Sequence, residues 1–175
     1  MEMPVAARTQ EASAGTGALA GKYMTFQLAG EIYGLEILAV REIIGLMEIT
    51  RVPRTPEFLR GVINLRGRVI PVIDLRLKFG MEAIASTEQT VIIVVQCQVA
   101  GRALTMGVLV DLVLEVLTIT GSQIEPTPNM GDATIDGDFL RGVGKANDRV
   151  IFLLDIARVL TGAEAAQLSR VAERS

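Results

Sequence analysis

Short runs in which apolar and polar residues alternate dominate the chain. Apolar side chains occupy every second position at Met24, Phe26 and Leu28, and a tight turn at 30–31 leads into a second apolar run at 32–37. A period of two is the repeat of a half-buried strand, and a glycine turn between two such runs is typical of a β-hairpin. The pattern therefore predicts that the folded chain begins with a hairpin.

The same pattern continues through the chain. Further strands are predicted at 40–47 and 69–73, and a long hairpin at 91–99 and 104–110. Within the first of these, strict alternation puts Val40 and Glu42 on one face of the strand and Arg41 and Ile43 on the other. A helical composition at 163–172 predicts a terminal helix.

Two parts of the sequence are copies of one unit. The pentapeptide Phe-Leu-Arg-Gly-Val occurs at 58–62 and again at 139–143, and the same separation of 81 residues relates Asp74 to Asp155. Alignment of the earlier segments also matches Gly34 with Gly107 and Glu42 with Glu115. A fixed offset indicates a repeated supersecondary module. With about five short strands per copy, we expect a mainly β protein built from small closed or half-open barrels.

Composition narrows the function. The chain has 175 residues, half of them hydrophobic, with a net charge of −3, one cysteine and no histidine. Lack of histidine removes the commonest general base and metal ligand, and no apolar run approaches the ~20 residues of a membrane-spanning helix. We expect a cytoplasmic globular protein with a flexible tail at 1–21, without a disulfide and without a cofactor. Residues 51–78 carry seven basic and two acidic residues, which suits a charged protein partner.

Several motifs have plainer explanations than catalysis. Asp74 and Asp155 are a pair of carboxylates that general acid–base chemistry would need, but each directly precedes a short helix, so capping is the preferred interpretation. Cys97 shares a face with apolar strand residues and is interpreted as core. The acidic segment 130–138 lacks the ligand pattern of a calcium loop and is expected to be a surface loop. Nucleic-acid binding is not expected, because the basic residues are interleaved with core residues in an acidic protein.

The difference between the copies marks a candidate site. The first copy reads Ile-Asn-Leu-Arg-Gly at 63–67, where the second reads Gly-Lys-Ala-Asn-Asp. Asn64 and Arg66 are therefore not required by the architecture, although a charged hairpin tip can also be a merely solvated turn. Gly61 recurs as Gly142, so a turn with positive φ is an alternative explanation for it.

The Gly-Val-Ile-Asn-Leu-Arg-Gly block, together with the opening 23–35 and the Val-Arg-Glu-Ile at 40–43, resembles the CheW family of chemotaxis coupling proteins over about 22–160. The resemblance implies two tandem, pseudo-repeated, five-stranded SH3-like β-barrels with short helices and a C-terminal helix. It predicts interleaved subdomains centred on 36–90 and 91–154, followed by a helix and tail at 155–175.

The resemblance also implies a function. Such a protein is a non-enzymatic adaptor that links methyl-accepting chemoreceptors to the regulatory domain of the histidine kinase CheA, and it reaches membranes only through receptor arrays. The positions that match the family's receptor-binding surface are Val40, Glu42, Gly61, Asn64, Arg66 and Ile92. Those expected to meet the kinase are Gly107, Val113 and Val116. A similar adaptor of a non-flagellar chemosensory pathway, for example pilus motility, or a small enzyme with paired carboxylates, remains an alternative.

Overall fold

The computed structural model describes residues 20–99, 101–125 and 139–174, and most of this is strand. The strands are β1 Gly21–Leu28, β2 Glu31–Glu36, β3 Val40–Gly45, β4 Leu59–Leu65, β5 Arg68–Asp74, β6 Val91–Val99, β7 Arg102–Val110, β8 Leu112–Ile119, β9 Ile124–Glu125, β10 Leu140–Ala146 and β11 Arg149–Leu154. The α-helices are α1 Leu75–Lys78 and α2 Gly162–Arg174, and short 3₁₀ helices lie at Ile37–Ala39, Gly121–Gln123 and Ile156–Arg158. The predicted hairpins and terminal helix are confirmed.

The strands form two curled sheets. One has the order β3-β6-β7-β5-β4, and the other β8-β1-β2-β11-β10-β9. In the first, Thr50 follows β3 in the chain and bridges to Val62 on the far edge strand, so the sheet closes on itself. In the second, β9 follows β8 and pairs with β10 in the same way. We call these the first and second barrels, and both are SH3-like.

The two copies exchange their hairpins. The β6–β7 hairpin of the second copy pairs with β3 and β5 of the first, and the β1–β2 hairpin pairs with β8 and β11. The two barrels are therefore interleaved along the chain: strands β6 and β7, which lie in the range on which the second subdomain is expected to be centred, pair with strands of the first barrel. The duplication itself is confirmed by register: Gly34 lies opposite Leu153 and Gly107 opposite Val72, and Val72 and Leu153 are also related by 81 residues.

The hydrophobic core has three parts. Each barrel encloses a small, mostly aliphatic cluster, around Ile63 and Ile92 in the first and around Ile119 and Ile151 in the second. The largest cluster contains residues of both sheets and of α2, so it lies between the barrels. A strand whose two faces are both buried needs apolar residues at consecutive positions, which explains the continuous Val-Ile run that opens β6.

Both predicted caps are present. The Asp74 carboxylate accepts a hydrogen bond from Arg76 N at 2.9 Å, and the Asp155 carboxylate accepts one from Ala157 N at 3.1 Å. Asp74 also accepts from an Arg60 guanidinium nitrogen at 2.9 Å. Each aspartate therefore ends a strand and starts a helical turn at the same point of its copy.

Helix α2 covers the core between the barrels. It buries Ala165, Leu168 and Val171, which lie along one stripe. At its first turn Glu164 accepts two hydrogen bonds from Lys78 Nζ, at 2.9 and 3.0 Å, and Lys78 also lies over the ring of Phe58. The helix is thus attached to the body by both apolar packing and an ion pair.

Some predictions fall outside the described residues. The predicted flexible tail at 1–21 is outside them except for its last two residues, and the predicted surface loop at 130–138 is outside them entirely. Within the described ranges, the helices fall short of the length and apolarity that crossing a membrane requires.

Candidate protein-docking surfaces

The block that distinguishes the first copy forms the β4–β5 turn. Arg66 and Gly67 have φ of 52° and 86°, and positive φ at both central residues defines a type I′ hairpin turn. The Asn64 side chain accepts a hydrogen bond from Gly67 N at 2.9 Å, so it stabilises this turn. The matching turn of the second copy has Asn147 and Asp148 at φ of 54° and 61°, also positive. Because Asn and Asp suit this conformation and arginine does not, the first copy keeps Arg66 at a conformational cost.

Arg66 forms an ion pair with Glu42 on the neighbouring edge strand β3. The side chains are 69% and 32% exposed, so the pair lies at the surface, where it contributes little to stability. Beside it, Arg41 Nε donates to Gln96 Oε1 at 2.7 Å. The side chains of Arg41 and Arg66 are both exposed and accessible to a partner.

A β-bulge changes the expected faces of β3. The register shifts between Val40, which pairs with Val95, and Glu42, which pairs with Val94. Val95 belongs to the core between the barrels, whereas Val94 belongs to the interior of the first barrel. Val40 and Glu42 therefore do not share a face, contrary to strict alternation, because the extra residue of a bulge reverses the side-chain pattern.

Glu42 and Arg66 stand at the mouth of the first barrel. The mouth is a concavity of about 420 Å³ lined by Arg41, Glu42, Leu65, Arg66, Arg68, Ile70, Val94, Gln96 and Thr105. Its floor is apolar, since Ile70 and Val94 are buried. Three arginines and one glutamate give the rim a net positive charge, which favours an acidic partner. Where the first barrel has Arg41 and Arg66, the aligned positions of the second have Leu114 and Asn147.

Three predicted site residues have packing roles. Ile92 is completely buried inside the first barrel, so it cannot contact a partner directly. A Cβ on Gly107 would come within 2.7 Å of Ile92 Cγ2, and a Cβ on Gly61 would come within 2.2 Å of the Thr50 carbonyl oxygen. Gly61 also has a φ of 145°. The turn explanation for Gly61 thus has structural support, and Gly107 permits close packing of β7 on its neighbours.

The remaining predicted residues lie on β8. Val113 pairs with Phe26 and is half-buried against the core between the barrels, and Val116 pairs with Met24 and is 48% exposed. The registers place Val113 at the position equivalent to Val40, and Val116 at that of Ile43, which is 41% exposed. Each barrel therefore presents the same aliphatic edge.

The structure adds residues that the sequence did not single out. Arg41 and Arg68 complete the charged rim, and Ile43 is the counterpart of Val116. Arg68 recurs as Arg149 in the second copy, so comparison of the copies does not mark it. Strict alternation puts Arg41 on the face of β3 opposite to Glu42, and a bulge cannot be identified from alternation alone. The match of Glu42 with Glu115 could have revealed Ile43, since the same alignment pairs it with Val116.

Reactive groups in the described ranges are few. Burial raises the pKa of the Cys97 thiol to about 11, which keeps it protonated and supports its interpretation as core. Within those ranges, no three His, Cys, Asp or Glu side chains are grouped so that they could hold a metal ion.

The fold and these surfaces define a duplicated SH3-like barrel protein, with a charged mouth on one barrel and an aliphatic edge on each. The family model described as CheW-like domain matches residues 22–164. The chemotaxis protein CheW of Klebsiella aerogenes is 39% identical over 152 residues, which cover 87% of this chain and 89% of that protein. The chemotaxis protein CheW of Helicobacter pylori is 35% identical over 159 residues, covering 87% and 92%.

A solved structure agrees. The crystal structure of the scaffolding protein TtCheW from Thermoanaerobacter tengcongensis matches with a TM-score of 0.73 and 39% identity, covering 83% of this chain and 97% of that one. The chain belongs to the CheW family. It is a chemotaxis adaptor, and the pilus-motility alternative is not favoured.

Proposed function

We propose that this adaptor joins two proteins through separate faces: a helical segment of a chemoreceptor at the mouth of the first barrel, and the regulatory domain of the histidine kinase CheA at β8. It acts by holding both partners rather than by catalysis. It resides in the cytoplasm and reaches the membrane through the receptors it binds.

The distribution of charge carries this proposal. The barrels share their strand order, their turns and their aliphatic edges, yet Arg66 and Arg41 occur only on the first. Arg66 adopts a left-handed conformation that its counterpart Asn147 adopts more easily. An unfavourable conformation at an exposed turn, whose side chain contributes little to stability, supports a binding role for that side chain.

The chemistry of the mouth suits the proposed receptor helix. An apolar floor buries the aliphatic stripe of an amphipathic helix, and the arginine rim pairs with its acidic residues and fixes its register. Glu42 supplies the opposite charge beside Arg66, so that a helix carrying both signs fits in one orientation. Ile92 and Gly61 contribute indirectly, by shaping the barrel that carries this rim.

The β8 face suits a different partner. Val113 and Val116 present a small aliphatic edge. Between them lies Leu114, which is apolar where the first barrel has Arg41. A partly exposed aliphatic edge of this kind can pack against the edge of a partner's sheet.

The test is a calorimetric titration of the chain with a receptor cytoplasmic fragment and, separately, with a CheA regulatory domain. Arg66→Ala is expected to weaken receptor binding by about tenfold or more and to leave kinase binding unchanged. Val116→Ser is expected to do the reverse. Asn147→Ala, at the matching turn, is the control for Arg66. Loss of both partners in either folded variant would contradict the assignment of separate faces.

A further inference from the structure

A second charged cluster lies outside the barrel mouth, at the link that leads into β8. Arg76 donates from Nε to Asp111 Oδ1 at 2.9 Å and from Nη2 to Asp111 Oδ2 at 2.6 Å, which is the bidentate geometry of a strong pair. Asp111 Oδ2 also accepts from Ala29 N at 3.0 Å. The two charged side chains are only 14% and 22% exposed, so this pair is far better shielded from water than the pair at the barrel mouth.

The cluster joins the two barrels at the point where the chain crosses between them. Arg76 is on α1, directly after β5 of the first barrel, and Ala29 is in the β1–β2 turn of the second. Asp111 is the single residue between β7, in the first barrel, and β8, in the second. The hydrogen bonds of Asp111 with Arg76 and Ala29 therefore act on the direction that the chain takes from β7 into β8.

The duplication shows that the architecture does not require this cluster. The residue equivalent to Arg76 is Ala157, and the residue equivalent to Asp111, by the alignment of Gly34 with Gly107, is Leu38. Leu38 is 80% exposed in the matching link between β2 and β3. The matching link begins with an ion pair of its own, Glu36 with Arg141, but both of these residues belong to the second barrel. A pair that joins the two barrels, like Arg76–Asp111, is found at the link that leads into Val113 and Val116 and not at the matching one.

We propose that Arg76 and Asp111 form a positioning clamp, which fixes β8 relative to the first barrel and thereby holds the kinase-binding edge at a set orientation to the receptor-binding mouth. This inference rests on the proposed function for the identity of the partners. Coupling of two partners requires that the relative orientation of their faces is defined, because a link that reorients freely transmits nothing from one to the other.

The clamp has a measurable effect on affinity. When only a fraction of molecules hold β8 in the competent orientation, the apparent dissociation constant rises by the inverse of that fraction, so a competent population of one tenth weakens kinase binding about tenfold. The mouth residues Glu42 and Arg66 lie on β3 and on the β4–β5 turn, which the cluster does not contact. Receptor binding is therefore expected to stay unchanged.

Asp111→Asn is the test variant, since it keeps the size of the side chain and removes its charge. Glu164→Gln is the matched control: the Lys78–Glu164 pair is similarly shielded, with side chains 12% and 24% exposed, but it holds α2 rather than β8. Each protein is examined by amide hydrogen exchange and by titration with a CheA regulatory domain and with a receptor fragment.

Asp111→Asn is expected to speed exchange in β8, to weaken kinase binding about tenfold and to leave receptor binding unchanged, whereas Glu164→Gln does none of these. Unchanged exchange in β8, or equal loss of kinase binding in both variants, would overturn the clamp. A wild-type chain that binds neither partner would instead refute the proposed function, and the exchange result would still decide whether the pair holds β8.

Discussion

Exchanging the turn chemistry between the two copies should separate stability from binding. Arg66→Asn gives the first turn the residue that the second has at Asn147. Release of arginine from the left-handed region stabilises the fold by about 1 kcal/mol. Loss of the exposed pair with Glu42 costs about 0.5 kcal/mol. The variant should therefore be slightly more stable than the wild type.

Thermal unfolding measures this directly. A net gain of about 0.5 kcal/mol corresponds to a rise in Tm of roughly 1–2 °C for a chain of this length. The reciprocal change, Asn147→Arg, introduces the unfavourable conformation at the second turn, where Glu115, the counterpart of Glu42, offers an equivalent exposed partner. It should therefore lower Tm by about 1–2 °C. Receptor-fragment affinity should fall only for Arg66→Asn.

The result that would refute this reasoning is a clear fall in Tm for Arg66→Asn. It would mean that the arginine stabilises the fold more than its conformation costs, and that its presence needs no binding role. Equal receptor affinity for Arg66→Asn and the wild type would remove the functional part of the argument, whatever the Tm.

Three further predictions concern the scaffold. Gly61→Ala forces a Cβ against the Thr50 carbonyl oxygen and should cost about 3 kcal/mol or more in denaturant unfolding; a loss under ~1 kcal/mol would contradict it. The buried Tyr33 hydroxyl lacks a hydrogen-bond partner in the described structure, so Tyr33→Phe should match the wild type or gain about 1 kcal/mol, and a marked loss would reveal a missed partner. Burial acts to raise the pKa of Asp111 and Glu164, but hydrogen bonds outweigh it and hold both pKa values below their ordinary 3.8 and 4.5. The stability that these two carboxylates contribute is therefore lost in acid, and the free energy of unfolding, measured from pH 7 to pH 3, should decrease once the pH is lower than about 4.5.

The strands and the duplication could be predicted from the sequence because both depend on local or repeated patterns. The alternation of apolar and polar residues predicts the hairpins. The recurring pentapeptide and the two aspartates predict that β4 and β5 are repeated, 81 residues later, as β10 and β11. Asp74 and Asp155 could be interpreted as caps, since a cap depends only on the residues that immediately follow it.

The assignment of hairpins to barrels depends on distant pairing. β2 runs parallel to β11, and β7 runs parallel to β5. Because β5 and β11 belong to equivalent parts of the two copies and have similar apolar patterns, the pattern of β2 or β7 fits either of them. Nothing within a strand says which parallel neighbour it takes. The face of Val40 could not be predicted for a related reason: a bulge adds one residue to one strand, and its position depends on the partner strand.

The exchange of hairpins also bears on how one scaffold distinguishes two partners. It gives each barrel strands from both copies, so that Val40 and Val113 occupy equivalent positions, as do Ile43 and Val116. The residues proposed to contact the receptor and those proposed to contact the kinase therefore lie on equivalent backbone positions of the two barrels. What separates the two faces is a small number of charged positions: Arg41 and Arg66 at the first mouth, and Asp111 at the link into β8. Because aliphatic edges of similar shape discriminate poorly between partners, selectivity is expected to follow these charges.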